Sequence, residues 1–218
     1  IIASESSLFT FNLSTEKKNP LVNLEKEDIS TRSNDGRADP WGGFWISTMG
    51  KNAEKNLGKI YRYYQNELKL VFKNLSIPNA ICFSENKKYL FYTDTPTKCI
   101  YRQELDASGW PIGRSELFIN MIKKNLLPDG AIVCEEGNIW NAQYGASQIS
   151  CYNSNGEETR VIKLPAEYPT CLSFGGINFD TLFITTSNLK NSKNNVDGTL
   201  LSLKLNARGT PENKVIIK

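Results

Sequence analysis

Polar turns followed by short aromatic and β-branched runs recur along the chain. "DPWGGFWIST" (Asp39 to Thr48), "SENKKYLFYTDT" (Ser84 to Thr95), "EEGNIWNAQ" (Glu135 to Gln143) and "INFDTLFITTS" (Ile177 to Ser187) share this form, and the opening "IIAS" matches its later part. Such composition is that of strands. Trp45, Phe91, Trp140 and Phe183 mark successive copies, spaced roughly 43 to 49 residues apart, a period in the range of propeller blades. A second run follows each copy: "SLFTFNL", "GKIYRYY", "KCIYRQEL", "SQISCYN" and "GTLLSLKL". These alternate as half-buried strands do, whereas sustained apolar spacing at i, i+3, i+4 is hard to find. The pattern predicts an all-β array by radial repetition, not a solenoid with helical segments. The charged stretch from Glu16 to Asp28 is expected to be an exposed connection.

What precedes each strand pair also aligns. The segments "SNDGRAD", "IPNAICF", "LPDGAIV" and "YPTCLSF" bring Asp35, Asn79, Asp129 and Thr170 into one register. The innermost strand of a propeller blade borders the central channel, so equivalent positions near its start form a ring around one mouth. Asn34-Asp35-Gly36 taken alone reads as a hairpin turn; its recurrence assigns it to this ring. Converging Asp and Asn oxygens suit Ca²⁺, Mg²⁺ or Mn²⁺, with Zn²⁺ less favoured. Asx turns at strand entries account for the same residue types.

Composition narrows the chemistry. The 218 residues carry a net charge of only +3 and no dense Lys/Arg block, so no nucleic-acid or anionic-membrane partner is expected. No apolar run approaches the roughly 20 residues that span a bilayer, and the first residues lack the form of a signal peptide. Cys82, Cys99, Cys134, Cys151 and Cys171 are scattered and contain no C-x-x-C pair, which fits reduced thiols in a cytoplasm. The sequence holds no histidine, which removes Ser-His-Asp and Cys-His catalysis and His-based zinc sites. Phosphate-cradling glycine motifs are missing as well. Catalysis must rest on carboxylates, amides, Arg, Lys or an oxygen-held metal. Trp41, Trp45, Trp110 and Trp140 are expected to pack between blades, and "KNSKNNVDG" (Lys190 to Gly198) resembles a calcium loop in composition only.

The stretches "RSNDGRADPWGGFWISTMG", "GKIYRYY", "IPNAICFSENKKYLFYTDTPTKCIYRQELDASG", "PDGAIVCEEGNIWNAQYG" and "LPAEYPTCLSFGGINFDTLFITTS" resemble the senescence marker protein, gluconolactonase and regucalcin-like family of six-bladed propellers. The resemblance implies a single propeller domain over residues 1–218, supplying about four to five blades of the six. It implies a divalent metal held at the channel mouth, with Asn79 and Asp129 as two of its ligands. Arg32 and Asn34 match residues that hold the substrate's hydroxyl and carbonyl oxygens. The implied activity is hydrolysis of a small sugar lactone to the aldonic acid, with Asp129 also exchanging a proton with water or the ring oxygen. Arg32 suits its task, because a planar guanidinium aims a fork of donors at oxygen.

Two departures accompany the resemblance. The family's third metal ligand is a Glu in an N-terminal segment of about seventy residues, a segment expected to be missing here; Glu5 does not carry the matching motif. Where some relatives place a substrate-contacting Glu after "TMG", this chain reads Lys51-Asn52, with Glu54 nearby. The alternative is a non-catalytic propeller that binds calcium or a protein and keeps only a vestigial channel site.

Overall fold

The computed structural model describes residues 1–189 and 194–218. Lys190 to Lys193 of the "KNSKNNVDG" stretch therefore lie outside the described residues. The described residues are all-β, with five antiparallel sheets built as propeller blades, each from strands consecutive in sequence. Two compact units account for them, Ile1–Pro78 with Asn213–Lys218, and Asn79–Glu212.

The first unit holds two sheets. One runs β1 (Ile2–Ala3), β2 (Ser7–Phe11) and β3 (Lys18–Asn23). The other runs β4 (Thr31–Ala38), β5 (Phe44–Gly50), β6 (Gly58–Tyr64) and β7 (Glu67–Leu75). The stretch expected to be an exposed connection thus contains a strand, β3. Its side chains are mostly exposed, with Leu21 and Val22 packed against the core, and its backbone pairs with β2, so its largely polar composition does not betray it. Leu8, Leu24, Ile46 and Tyr63 form the core, joined by Val215 from the chain's last residues. There Ile216 donates its backbone N–H to Gly42 O at 2.8 Å.

A buried ion pair sits inside the second sheet. Asp39 and Arg62 are both 0% exposed, and Arg62 Nε donates to Asp39 Oδ2 at 2.7 Å. The same oxygen accepts from Trp45 Nε1 at 2.9 Å, while Oδ1 accepts the backbone N–H groups of Trp41 and Gly43, each at 2.8 Å. The guanidinium also lies 4.4 Å from the Tyr64 ring centroid. A buried carboxylate needs this saturation, because an unpaired charge there is very costly.

The second unit carries three sheets. β8 (Pro78–Phe83), β9 (Tyr89–Asp94), β10 (Cys99–Glu104) and β11 (Glu116–Asn120) form the first. β12 (Leu127–Val133), β13 (Ile139–Tyr144), β14 (Gln148–Tyr152) and β15 (Glu158–Lys163) form the next. β16 (Pro169–Gly175), β17 (Thr181–Thr186) and β18 (Leu200–Lys204) form the last. The middle sheet is covered on both faces: Ile139 and Tyr152 pack with Ala80, Cys82 and Phe91, whereas Trp140, Ala142 and Ile149 pack with Leu172, Phe174 and Ile184. Successive residues of a strand point to opposite faces, so double coverage explains why β13 and β14 are buried almost throughout. Trp45 and Trp140 are core residues, as expected. Helical structure among the described residues amounts to two 3-10 turns, Thr95–Thr97 and Ile122–Lys124. No helix among them is long and apolar enough to cross a membrane.

Candidate active site

The aligned segments are the first strands of their sheets: β4, β8, β12 and β16. The positions singled out for their oxygens lie where strand pairing is interrupted. Pairing with the next strand shifts between Ser33 and Gly36, between Pro128 and Ala131, and between Pro169 and Cys171. In the β8 sheet Asn79 is followed by Ala80, whose φ is +56°. A bulge re-aims a side chain that regular pleating would point elsewhere. Asn34, Asp35 and Gly36 are therefore no hairpin turn; they lie within β4, and none has positive φ.

Each interruption is held by a polar side chain from the neighbouring strand. Ser47 Oγ donates toward Asp35 O at 2.9 Å and lies 3.0 Å from the Asp35 N–H. Asn141 Nδ2 donates to Asp129 O at 2.9 Å and to Gly130 O at 3.2 Å. Thr185 Oγ1 accepts the Cys171 N–H at 3.1 Å and lies 2.8 Å from Thr170 Oγ1. Backbone groups freed by the bulges thus find partners, as buried backbone must.

In the first unit the structure brings Arg32 and Asn34 together. Arg32 Nη1 donates to Asn34 Oδ1 at 3.2 Å and to Ser33 O at 2.8 Å, and Asn34 Nδ2 donates to Pro78 O at 3.0 Å. The guanidinium is thereby steered by a fixed amide. Glu5 forms an exposed pair with Lys51 at 2.7 Å, and Glu54 is engaged by Asn52 through its N–H and its side-chain amide, each at 3.0 Å.

In the second unit Asn79 and Asp129 are joined through one hydroxyl. Asn79 Nδ2 donates to Thr95 Oγ1 at 3.4 Å, and Thr95 Oγ1 donates to Pro128 O at 2.8 Å, one residue before Asp129. Thr95 opens a 3-10 turn, so a short connection positions both candidate ligands. One N–H of the Asn79 amide is thereby engaged. Asp129 Oδ1 accepts the Gly130 N–H at 2.9 Å. Tyr144 stands in the field of this carboxylate; burial pushes its phenol above the ordinary value, Asp129 adds to the rise, and a hydrogen bond with Ser187 opposes it. Its ring lies 5.1 Å from that of Tyr168. Oxygen donors of this kind fit a hard divalent ion. Among the described residues no group of three or more His, Cys, Asp or Glu is placed to hold a metal.

Thr95, Asn141 and Tyr144 were not among the residues expected from sequence. The available signal was a polar Asn directly after the marker Trp140, inside a strand of core composition, since fully buried polar residues are uncommon.

The family described as SMP-30/Gluconolactonase/LRE-like region matches residues 1–188. A Rhizobium meliloti protein, provisionally named a sugar lactone lactonase, is 36% identical over 188 residues, covering 86% of this chain and 64% of that protein. The chain therefore spans less than two thirds of that relative's length. A 6-deoxy-6-sulfogluconolactonase from Pseudomonas putida is 28% identical, covering 97% of this chain and 75% of that protein. The crystal structure of regucalcin from Agrobacterium tumefaciens, titled a calcium-binding protein, superposes with a TM-score of 0.95 at 31% identity, covering 99% of this chain and 75% of that one.

Proposed function

Because the chain belongs to the SMP-30/gluconolactonase/LRE-like family, we propose that it hydrolyses small sugar lactones to aldonic acids in a metal-dependent reaction. The observation that supports this is the Asn79–Thr95–Pro128 chain of hydrogen bonds, which links the Asn79 amide to the strand one residue before Asp129. Asn79 and Asp129 would hold the cation, whether Ca²⁺, Mg²⁺, Mn²⁺ or Zn²⁺. When bound, such an ion polarises a carbonyl and lowers the pKa of water. Arg32 and Asn34 direct donors at the substrate's hydroxyl and carbonyl oxygens. Asp129 takes a proton from the attacking water and returns it to the ring oxygen as the acyl C–O bond breaks, so that water adds across that bond and the acid is released.

Family membership also supports a six-bladed propeller as the architecture, with residues 1–218 as part of one propeller domain and five blades described. Five thiols without disulfide partners, four of them buried, support a reducing, cytoplasmic setting. The test is acid release, followed with a pH indicator across a panel of sugar lactones and the four cations, for the wild type and Asp129→Ala. Metal-stimulated opening that Asp129→Ala abolishes is the expected result. Calcium binding without opening of any lactone would favour a binding protein instead, in keeping with the calcium-binding relative.

A further inference from the structure

We propose that Asn141 is a positioning residue that fixes the direction of the Asp129 carboxylate by clamping the bulge beneath it. Asn141 is 0% exposed, in the middle of β13 and paired with Ala131 and Ser150. Its Nδ2 reaches two successive carbonyls, those of Asp129 and Gly130. Only the amide's NH₂ end can face two carbonyl oxygens, so this contact fixes the orientation of the side chain.

The other end reveals the purpose. Asn141 Oδ1 is buried and has no hydrogen-bond partner. An apolar side chain of the same size would avoid that cost, since a buried polar group left unmet is expensive. Asn at this place is therefore poor as packing and apt as a clamp. The bulge it grips lies between the paired positions Pro128 and Ala131, where the register of the β12–β13 ladder shifts. Thr95 secures the carbonyl before Asp129 and Asn141 those at and after it; three consecutive carbonyls are thus pinned, and the side chain between them inherits their geometry.

The inference deepens the lactonase reading and rests on it for its catalytic consequence, whereas the clamp itself can be measured without substrate. Asn141→Leu removes both hydrogen bonds and the unmet oxygen while keeping the volume. Loss of a partner that orients a ligand or catalytic group typically costs 10–100-fold in activity, so kcat should fall by about that factor with KM within about twofold, and Tm should fall as well, because the Asp129 and Gly130 carbonyls lose this donor even though the orphaned oxygen leaves with it. Amide hydrogen exchange at Gly130 should quicken. Asn141→Ser, which is smaller and retains one donor, should lie between the wild type and the Leu variant in both readouts and serves if the Leu variant does not fold. Unchanged kcat, or unchanged exchange at Gly130 in a folded variant, would overturn the proposal. Should the wild type open no lactone, the functional reading fails, and Gly130 exchange alone then decides the clamp: faster supports it, unchanged removes it.

Discussion

Replacing Asp39 by Asn keeps the volume of the side chain but removes the charge from a site that was built around it. Four donors converge on the carboxylate: two backbone N–H groups, the Trp45 indole and Arg62 Nε. An amide offers one oxygen to them and turns an NH₂ toward the rest, while Arg62 stays buried without its counter-charge. Removing one partner of a buried ion pair costs about 3–5 kcal/mol. The unmet donors belong to the same penalty and are not added to it, because contributions within one network do not sum. For a chain of this size 1 kcal/mol moves Tm by about 2–4 °C, so the fall should be about 6–20 °C. Urea unfolding followed by tryptophan fluorescence measures it, with Trp45 reporting from the site itself. A loss below about 1 kcal/mol would refute the reasoning. The double replacement Asp39→Leu with Arg62→Met should recover much of the loss, since apolar pairs substitute well for buried ion pairs; a double variant no better than Asp39→Asn would show that the stranded charge is not the cause.

Glu25 gives a pH-dependent counterpart. Burial raises its carboxyl, but hydrogen bonds from Lys59 and Tyr61 outweigh this and leave it below its ordinary 4.5; the stability it contributes is complete above the unfolded-state value and is lost as pH falls through the lower folded one. Glu25→Gln should therefore flatten the acid limb of a stability-versus-pH curve below about pH 4.5, and identical limbs would exclude the effect. Gly130→Ala would place a Cβ 2.7 Å from Cys171 Sγ and 2.8 Å from both Cys171 Cα and Thr170 O; because backbone cannot retreat cheaply, a loss of about 1–3 kcal/mol is expected, together with weakened activity through the adjoining Asp129, and an unaffected variant would mean that β16 yields easily. Arg32→Lys keeps the charge but loses the planar fork, so kcat/KM should drop at least tenfold, whereas parity with the wild type would make Arg32 a structural residue.

The blade repeat was legible because the second strands such as β5, β9 and β13 are largely buried and carry an aromatic marker at near-constant spacing. Outer strands such as β3 and β7 were not, since most of their residues are exposed and only a few side chains, such as Leu21, Val22 and Leu68, pack against the core. Asn79 and Asp129 could be aligned from their flanking prolines, yet the link through Thr95 depends on a short 3-10 turn that composition does not announce. Asp39 lay within the first stretch to draw notice, but its partner Arg62 is 23 positions away and meets it only once β5 and β6 have paired. Asn34-Asp35-Gly36 shows why recurrence was needed: local propensity alone favours a turn there, whereas the residues lie within β4, where strand pairing prevails.

Every sheet pairs only strands that follow one another in the chain, and this has a kinetic meaning. Closing short loops costs little entropy, so each blade can zip up as soon as its own segment is available, without waiting for distant residues to find one another. It follows that continuity of the polypeptide matters less between sheets than within them. A cut in the connection from Lys163 to Pro169 would sever no hydrogen-bonded strand pair, and two fragments made there and mixed should reassemble, each arriving with its own blades already drawn.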